Sequence, residues 1–228
     1  MKLLIFPGGG NPDTPLHREV FDLIGQNTRR FGYTEMDGNL RWPGQYLPGD
    51  APSGHLTFDG SVAAADGQLA EHERRYERDG IGYDILARSY GTYVALKSIL
   101  AGEFKGRRRI VLWGAPPFWV MWKLFLRELD EGRARRAAKG LHLERSFFPS
   151  LEPIEWLLQE TPRTVVVTSG SEEAYSPPAF QAYLMQLALS SRGNVRFRPT
   201  VQGAPHETRR IDELKPDVIE AYLNSVLG

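Results

Sequence analysis

Short apolar runs closed by Gly or Pro alternate along this chain with stretches in which apolar residues recur every three or four positions. Lys2 to Phe6 is a compact apolar run ended by Pro7-Gly8-Gly9-Gly10, the pattern of a central parallel strand entering a tight loop. Asp13 or Thr14 then offers an N-cap and Pro15 an N1 residue, while Val20, Phe21, Ile24 and Phe31 supply an apolar face. A helix ending by Gly32 is predicted. Tyr33 to Met36 is a short strand candidate, and from Asp37 to Gly60 the chain is rich in Gly and Pro. A loop of that length is unusual unless it is functional. Ser61 to Arg78 is helical by composition, with Val62, Leu69 and Tyr76 at near-heptad spacing.

Tyr83, Ile85 and Leu86 follow the breaker Gly80 to Gly82 and read as a buried strand; beyond it Val94, Ala95, Ile99 and Leu100 recur at helical spacing as far as Gly102. Arg107 to Arg109 is expected to be a solvated lead-in to the strand Ile110 to Trp113, which Gly114-Ala115-Pro116-Pro117 closes. Between Pro117 and Pro162 the alternation gives way to a mostly helical insertion: Phe118 to Glu131 is aromatic, Arg133 to Lys139 basic, and Ile154 to Gln159 a short helix. Thr164 to Thr168 restores the strand pattern, Pro178 to Ser191 is a helix with Phe180, Tyr183, Leu184 and Leu187 on one face, and Val195 to Arg198 suits an edge strand with one wet face. Ile211 to Leu227 closes the chain as an amphipathic helix. About six strands alternating with helices imply an α/β fold, a doubly wound and mainly parallel sheet with right-handed crossovers. Sites in such sheets lie at the carboxyl ends of the strands.

Composition narrows the picture. At 228 residues one domain spanning the chain is expected. Lys plus Arg and Asp plus Glu are both 28, so the charge that nucleic-acid binding needs is missing. The absence of cysteine excludes disulfides, thiol catalysis and cysteine-ligated metal centres. The apolar start before Pro7 is too short for a signal segment and no span approaches membrane length, so a cytoplasmic protein is expected.

The chemistry centres on Ala87-Arg88-Ser89-Tyr90-Gly91, where the strand turns directly into the helix. Such a turn holds its central residue in a strained conformation at the carboxyl end of the sheet, and only small residues two positions either side avoid collision. Ala87 and Gly91 meet that need. The sequence resembles the nucleophile elbow of the α/β-hydrolase superfamily, with alanine in place of the first glycine. By that resemblance the chain begins at the fold's third strand, and the insertion, about 117–162, falls where many of these enzymes carry a cap.

What the resemblance implies follows the logic of activating a serine. Serine needs a base, the base an orienting acid, and the developing oxyanion its donors. In the family's chain order the acid precedes the histidine. After Ser89 only His142 and His206 remain; His142 lies in the insertion, and His206, in Gly203-Ala204-Pro205-His206-Glu207 beyond the last strand, matches the family's base. Gly170-Ser171-Glu172-Glu173 resembles the Gly-Xaa-Xaa-acid pattern, which implies Glu173 as the acid with Glu172 as its neighbour and rival. The backbone N–H of Tyr90 and that of Gly9, or Gly10 as fallback, would stabilise the oxyanion. Phe118, Trp119 and Trp122, with Phe125, are candidates for an apolar pocket wall. A dinucleotide fingerprint in the glycine loop fails because Asp13 stands where a third glycine is required. No Walker A or His-Glu-Xaa-Xaa-His pattern occurs.

The resemblance therefore implies a serine hydrolase acting on an ester, thioester or related acyl bond of a small apolar molecule, with no cofactor and no metal. Acyl transfer, lyase chemistry or carbon–carbon bond hydrolysis in the same site is the nearest alternative. A non-catalytic small-molecule-binding protein of the same fold is the other; reaction with a fluorophosphonate separates it from an enzyme.

Overall fold

The computed structural model describes residues 1–8, 15–37, 40, 55–56, 58–102, 105–117, 142–143, 154–160, 164–172, 183, 186, 195–205 and 213–228. The main sheet holds six strands: β1 (Lys2–Phe6), β2 (Glu35–Asp37), β4 (Tyr83–Arg88), β5 (Arg107–Trp113), β7 (Val165–Thr168) and β9 (Val195–Phe197). Their order is β2-β1-β4-β5-β7-β9, and every neighbouring pair is parallel. The chain thus starts inside the sheet, lays β2 on one side and builds outward on the other, which is the doubly wound arrangement expected. Two further pairs of strands stand outside it: β3 (His55–Leu56) with β6 (His142–Leu143), and β8 (Gly170–Glu172) with β10 (Val201–Pro205).

Alternation along the strands feeds two cores. On one face Leu4, Phe6, Ile85, Ala87, Ile110, Leu112, Val165 and Val167 pack with α2 (Phe58–Asp79), α3 (Tyr90–Ala101) and α4 (Ile154–Glu160). On the other, Leu3, Ile5, Leu86, Val111, Trp113 and Val166 meet α1 (Pro15–Asn27) and α5 (Pro216–Leu227). Trp113 and Tyr222 seal that second face edge to face, with ring centroids 4.7 Å apart. No described helix is long and apolar enough to cross a membrane.

Most expected elements form, with informative departures. A 3-10 turn (Thr28–Phe31) extends α1 to the expected stop at Gly32. β2 begins at Glu35 rather than Tyr33, because Tyr33 is used in the core: it is 1% exposed and its hydroxyl donates to Asp84 at 2.8 Å. α2 starts three residues early, and its buried stripe is Phe58, Ser61, Ala65 and Leu69 rather than the near-heptad set through Tyr76. Arg107 to Arg109 is not a solvated lead-in but part of β5. Arg107 is buried, and Arg109 donates to the Tyr33 hydroxyl at 2.7 Å and to the carbonyls of Leu227 and Gly228 at the end of α5. α5 begins at Pro216 rather than Ile211, with Pro at its first position. Most of the insertion, about 117–162, lies outside the described residues apart from β6 and α4, as does most of the helix expected over 178–191.

One close approach fixes α3 against the sheet. A Cβ on Gly91 would stand 2.2 Å from the carbonyl oxygen of Pro7 and 2.7 Å from that of Phe6. Backbone cannot yield as a side-chain tip can, so Gly91→Ala should lower stability by about 3 kcal/mol, the upper end of what overpacking costs. Urea unfolding measures it; a midpoint within error of the wild type would show that α3 can move off β1 freely.

Candidate active site

β4 is buried along its whole length and delivers Ser89 to the carboxyl end of the sheet, where α3 begins at once. Ser89 has φ 48° and ψ −125°, and it is the one non-glycine residue with positive φ among the described residues. An L-residue in this region is strained. The conformation persists because both sides of the residue are held. Its N–H donates to the Trp113 carbonyl at 3.1 Å, and its carbonyl accepts from the Thr92 N–H at 3.0 Å and the Thr92 hydroxyl at 2.6 Å.

The end of β1 borders the serine. Phe6 pairs with Ala87, so Pro7 and Gly8 run on beside Arg88 and Ser89. A Cβ on Gly8 would lie 3.4 Å from the Ser89 Cβ and 3.9 Å from its Oγ. The glycine loop therefore starts against the hydroxyl, and Gly9 is the next residue in the chain. Tyr90 is the first residue of α3, where a helix supplies no carbonyl acceptor to its own N–H groups and carries the positive end of its dipole. The Tyr90 side chain is 3% exposed; its hydroxyl donates to the Ser61 Oγ at 3.0 Å, and its ring meets Phe58 edge-on. Burial pushes the phenol far above its ordinary pKa, so it stays neutral over any working pH.

Arg88, Trp113 and Thr168 are in register across β4, β5 and β7. Ser89 and Ser169 consequently leave the sheet at one level, and β8 follows directly after Ser169. β8 and β10 pair in parallel, Val201 with Gly170 and Pro205 with Glu172. The contact is tight: a Cβ on Gly170 would fall 1.8 Å from the Ala204 carbonyl oxygen. The Ser171 Oγ accepts from the Gly203 N–H at 2.8 Å. The paired strands end on Glu172 and Pro205, the residues immediately before Glu173 and His206.

Of the residues singled out in the sequence, Ser89 and Tyr90 stand together at this strand-to-helix turn. Glu172 is described as backbone of β8, and His142 as part of β6. Gly9, Gly10, Glu173, His206, Phe118, Trp119, Trp122 and Phe125 lie outside the described residues. Gly8 belongs to the glycine loop expected beside the serine, whereas sequence reasoning missed Phe58 and Ser61 as neighbours of the turn. Both were readable as the start of the stripe Phe58, Ser61, Ala65 and Leu69, which has helical spacing.

No family model and no curated protein sequence matches the chain. Solved structures do resemble the chain. A soluble variant of monoglyceride lipase from Saccharomyces cerevisiae superposes with a TM-score of 0.68 at 12% identity, covering 99% of this chain and 84% of the lipase. A monoacylglycerol lipase from Paleococcus ferrophilus gives 0.57 at 15% identity, covering 99% and 93% of the two chains. A bromoperoxidase from Bacillus anthracis gives 0.58 at 13%, covering 100% and 92%. With the strand order and the strained serine turn, these likenesses establish that the chain has the α/β-hydrolase fold.

The strain at Ser89 is separable from its chemistry. Glycine adopts positive φ freely, so Ser89→Gly should unfold at higher denaturant, by about 1 kcal/mol. A destabilised Ser89→Gly protein would mean that the hydroxyl secures the turn.

Proposed function

We propose that this chain is a serine hydrolase cleaving an ester, thioester or related acyl bond of a small, largely apolar molecule. The observation that carries this reading is the strained Ser89 at the sheet's carboxyl end, with the start of the glycine loop against its side chain. Strain of this kind is kept where it serves a site. In the proposed mechanism His206 takes the hydroxyl proton as Ser89 attacks the acyl carbon. Glu173 holds the imidazole in the required tautomer and stabilises the imidazolium. The N–H groups of Tyr90 and Gly9 receive the negative charge of the tetrahedral intermediate. His206 then protonates the leaving group, and water attacks the acyl-enzyme by the same route in reverse. Phe118, Trp119 and Trp122 would wall the acyl pocket.

Two observations support the reading. The pairing of Pro205 with Glu172 starts the His206 and Glu173 segments from adjacent points, as a base and its orienting acid require. The structural neighbours include lipases, in keeping with an acyl substrate. A fluorophosphonate should label the wild type at Ser89, and Ser89→Ala should fold normally, take no label and turn over no activated ester. Labelling of Ser89→Ala, or retained turnover, would overturn the assignment.

The choice of acid has its own test. Consecutive residues leaving a strand project to opposite sides, so the two glutamates cannot both serve the histidine, and the spacing from Gly170 favours Glu173. Glu173→Gln should lower turnover on one activated ester by orders of magnitude, since losing the corresponding acid in a serine protease costs about 10⁴-fold. Glu172→Gln should stay within a few-fold. The reverse pattern would transfer the role to Glu172.

A further inference from the structure

A backbone donor is useful to an oxyanion only if its N–H is aimed before the charge develops. The peptide linking Ser89 to Tyr90 takes its direction from the strained ψ of Ser89, −125°, and a strained torsion relaxes unless its surroundings over-determine it. On the serine side the restraints are the bonds to Trp113 and Thr92 already described. On the tyrosine side the restraint is the side chain. Its hydroxyl is bonded to Ser61, which is 0% exposed, and its ring packs edge-on against Phe58, centroids 6.3 Å apart at 66°. A tyrosine has two side-chain torsions, so fixing both the ring and the hydroxyl fixes its Cα.

The anchor is itself firmly held. Ser61 lies one turn into α2, whose Ala65 and Leu69 are buried in the core under α3. The chain reaches α2 directly from β3, which pairs with β6 of the insertion.

Resting on the serine-hydrolase reading, we propose that Ser61, with Phe58, is a positioning residue: through the Tyr90 hydroxyl it aims the Tyr90 backbone N–H at the oxyanion. Neither residue touches the reacting atoms. A hydrogen bond serving only the core would contribute about 1 kcal/mol of stability and leave the chemistry alone. A positioning bond acts on turnover, because the oxyanion contact strengthens in the transition state and substrate binding does not depend on it. Complete loss of an oxyanion donor costs about 10²–10³-fold; a donor present but poorly aimed should cost about tenfold.

The test uses the full chain as wild type, Ser61→Ala, Tyr90→Phe and the double variant. The readouts are the rate of Ser89 labelling by a small fluorophosphonate, kcat and KM on p-nitrophenyl acetate, and urea unfolding. Each single variant should label and turn over about tenfold more slowly with KM within twofold, and the double variant should be no slower than the slower single, because both remove one bond. Wild-type rates in folded but less stable single variants would reduce the bond to a core contact and overturn the inference alone. Multiplying losses in the double variant would also overturn it, since the two hydroxyls would then act separately. A wild type that takes no label would overturn the hydrolase reading and this inference together. Should Ser61→Ala fail to fold, Tyr90→Phe removes the same bond with little change of shape and decides by the same criteria.

Discussion

The approach of α3 to the end of β1 is the contact on which the rest of the arrangement depends. At Gly91 there is no room for a single carbon between the helix and the carbonyls of Phe6 and Pro7. To enter the helix there directly from β4, with no connecting residues beyond Ser89, the chain turns through a conformation that costs an L-residue about 1–3 kcal/mol. The bonds to Trp113 and Thr92 oppose that cost, each contributing about 1 kcal/mol net. The same close approach brings Gly8 against Ser89. The close packing of α3 and the approach of Gly8 to the serine side chain are thus two results of one geometry, and a bulkier residue at 91 would draw them apart.

Polar groups enter both faces of the sheet. Under α2, α3 and α4 the Tyr83 hydroxyl donates to Glu73 at 2.7 Å, and Glu73 also accepts from the Gly106 N–H at 3.0 Å. The α5 face carries ions as well: Asp84 accepts from Tyr33 at 2.8 Å and faces the Arg109 Nε at 3.3 Å. Arg109 and Arg198 cap the last carbonyls of α5, and Thr168 and Ser225 share a short hydroxyl bond. Burial, with Asp84 adding to it, pushes the Tyr33 phenol up to about 12. Cations at a helix carboxyl end meet both its unfilled acceptors and its dipole. α5 is in this way fixed in register against β5 and β9, which apolar packing alone would define less sharply.

Much of this was legible in the sequence because it is written locally. The six main strands were found as short apolar or alternating runs bounded by turn residues, and Val195 to Phe197 does form the edge. The serine turn was legible for the same reason, since its steric demands fall on Ala87 and Gly91, two residues either side. What escaped depends on partners distant in the chain. Gly170-Ser171-Glu172 has no apolar residue, and Val201 to Pro205 contains the Gly and Pro that ordinarily announce a loop, yet the two segments pair. His55-Leu56 and His142-Leu143 are too short to show a period. Arg107 to Arg109 reads as solvated until Asp84, Tyr33 and the end of α5 are brought beside it. Tyr33 reads as a strand residue for the same reason, because a polar atom enters a core when its partner comes from another element.

That division bears on how a serine site is assembled. The nucleophile needs one strained residue, and a five-residue stretch can encode it. A base and its acid must come from segments far apart in the chain, and their separation is set by whichever strands those segments continue. Here β7 and β9 are neighbours in the main sheet, and β8 and β10 extend them as a second parallel pair beyond its carboxyl edge. The Ser171 bond to Gly203 and the close contact at Gly170 resist a slip of one strand along the other. A slip of one residue would displace the chain by about 3.3 Å, more than a hydrogen bond between imidazole and carboxylate tolerates. Under the proposed chemistry, the small residues of β8 therefore set the spacing of a base and an acid that they do not themselves supply.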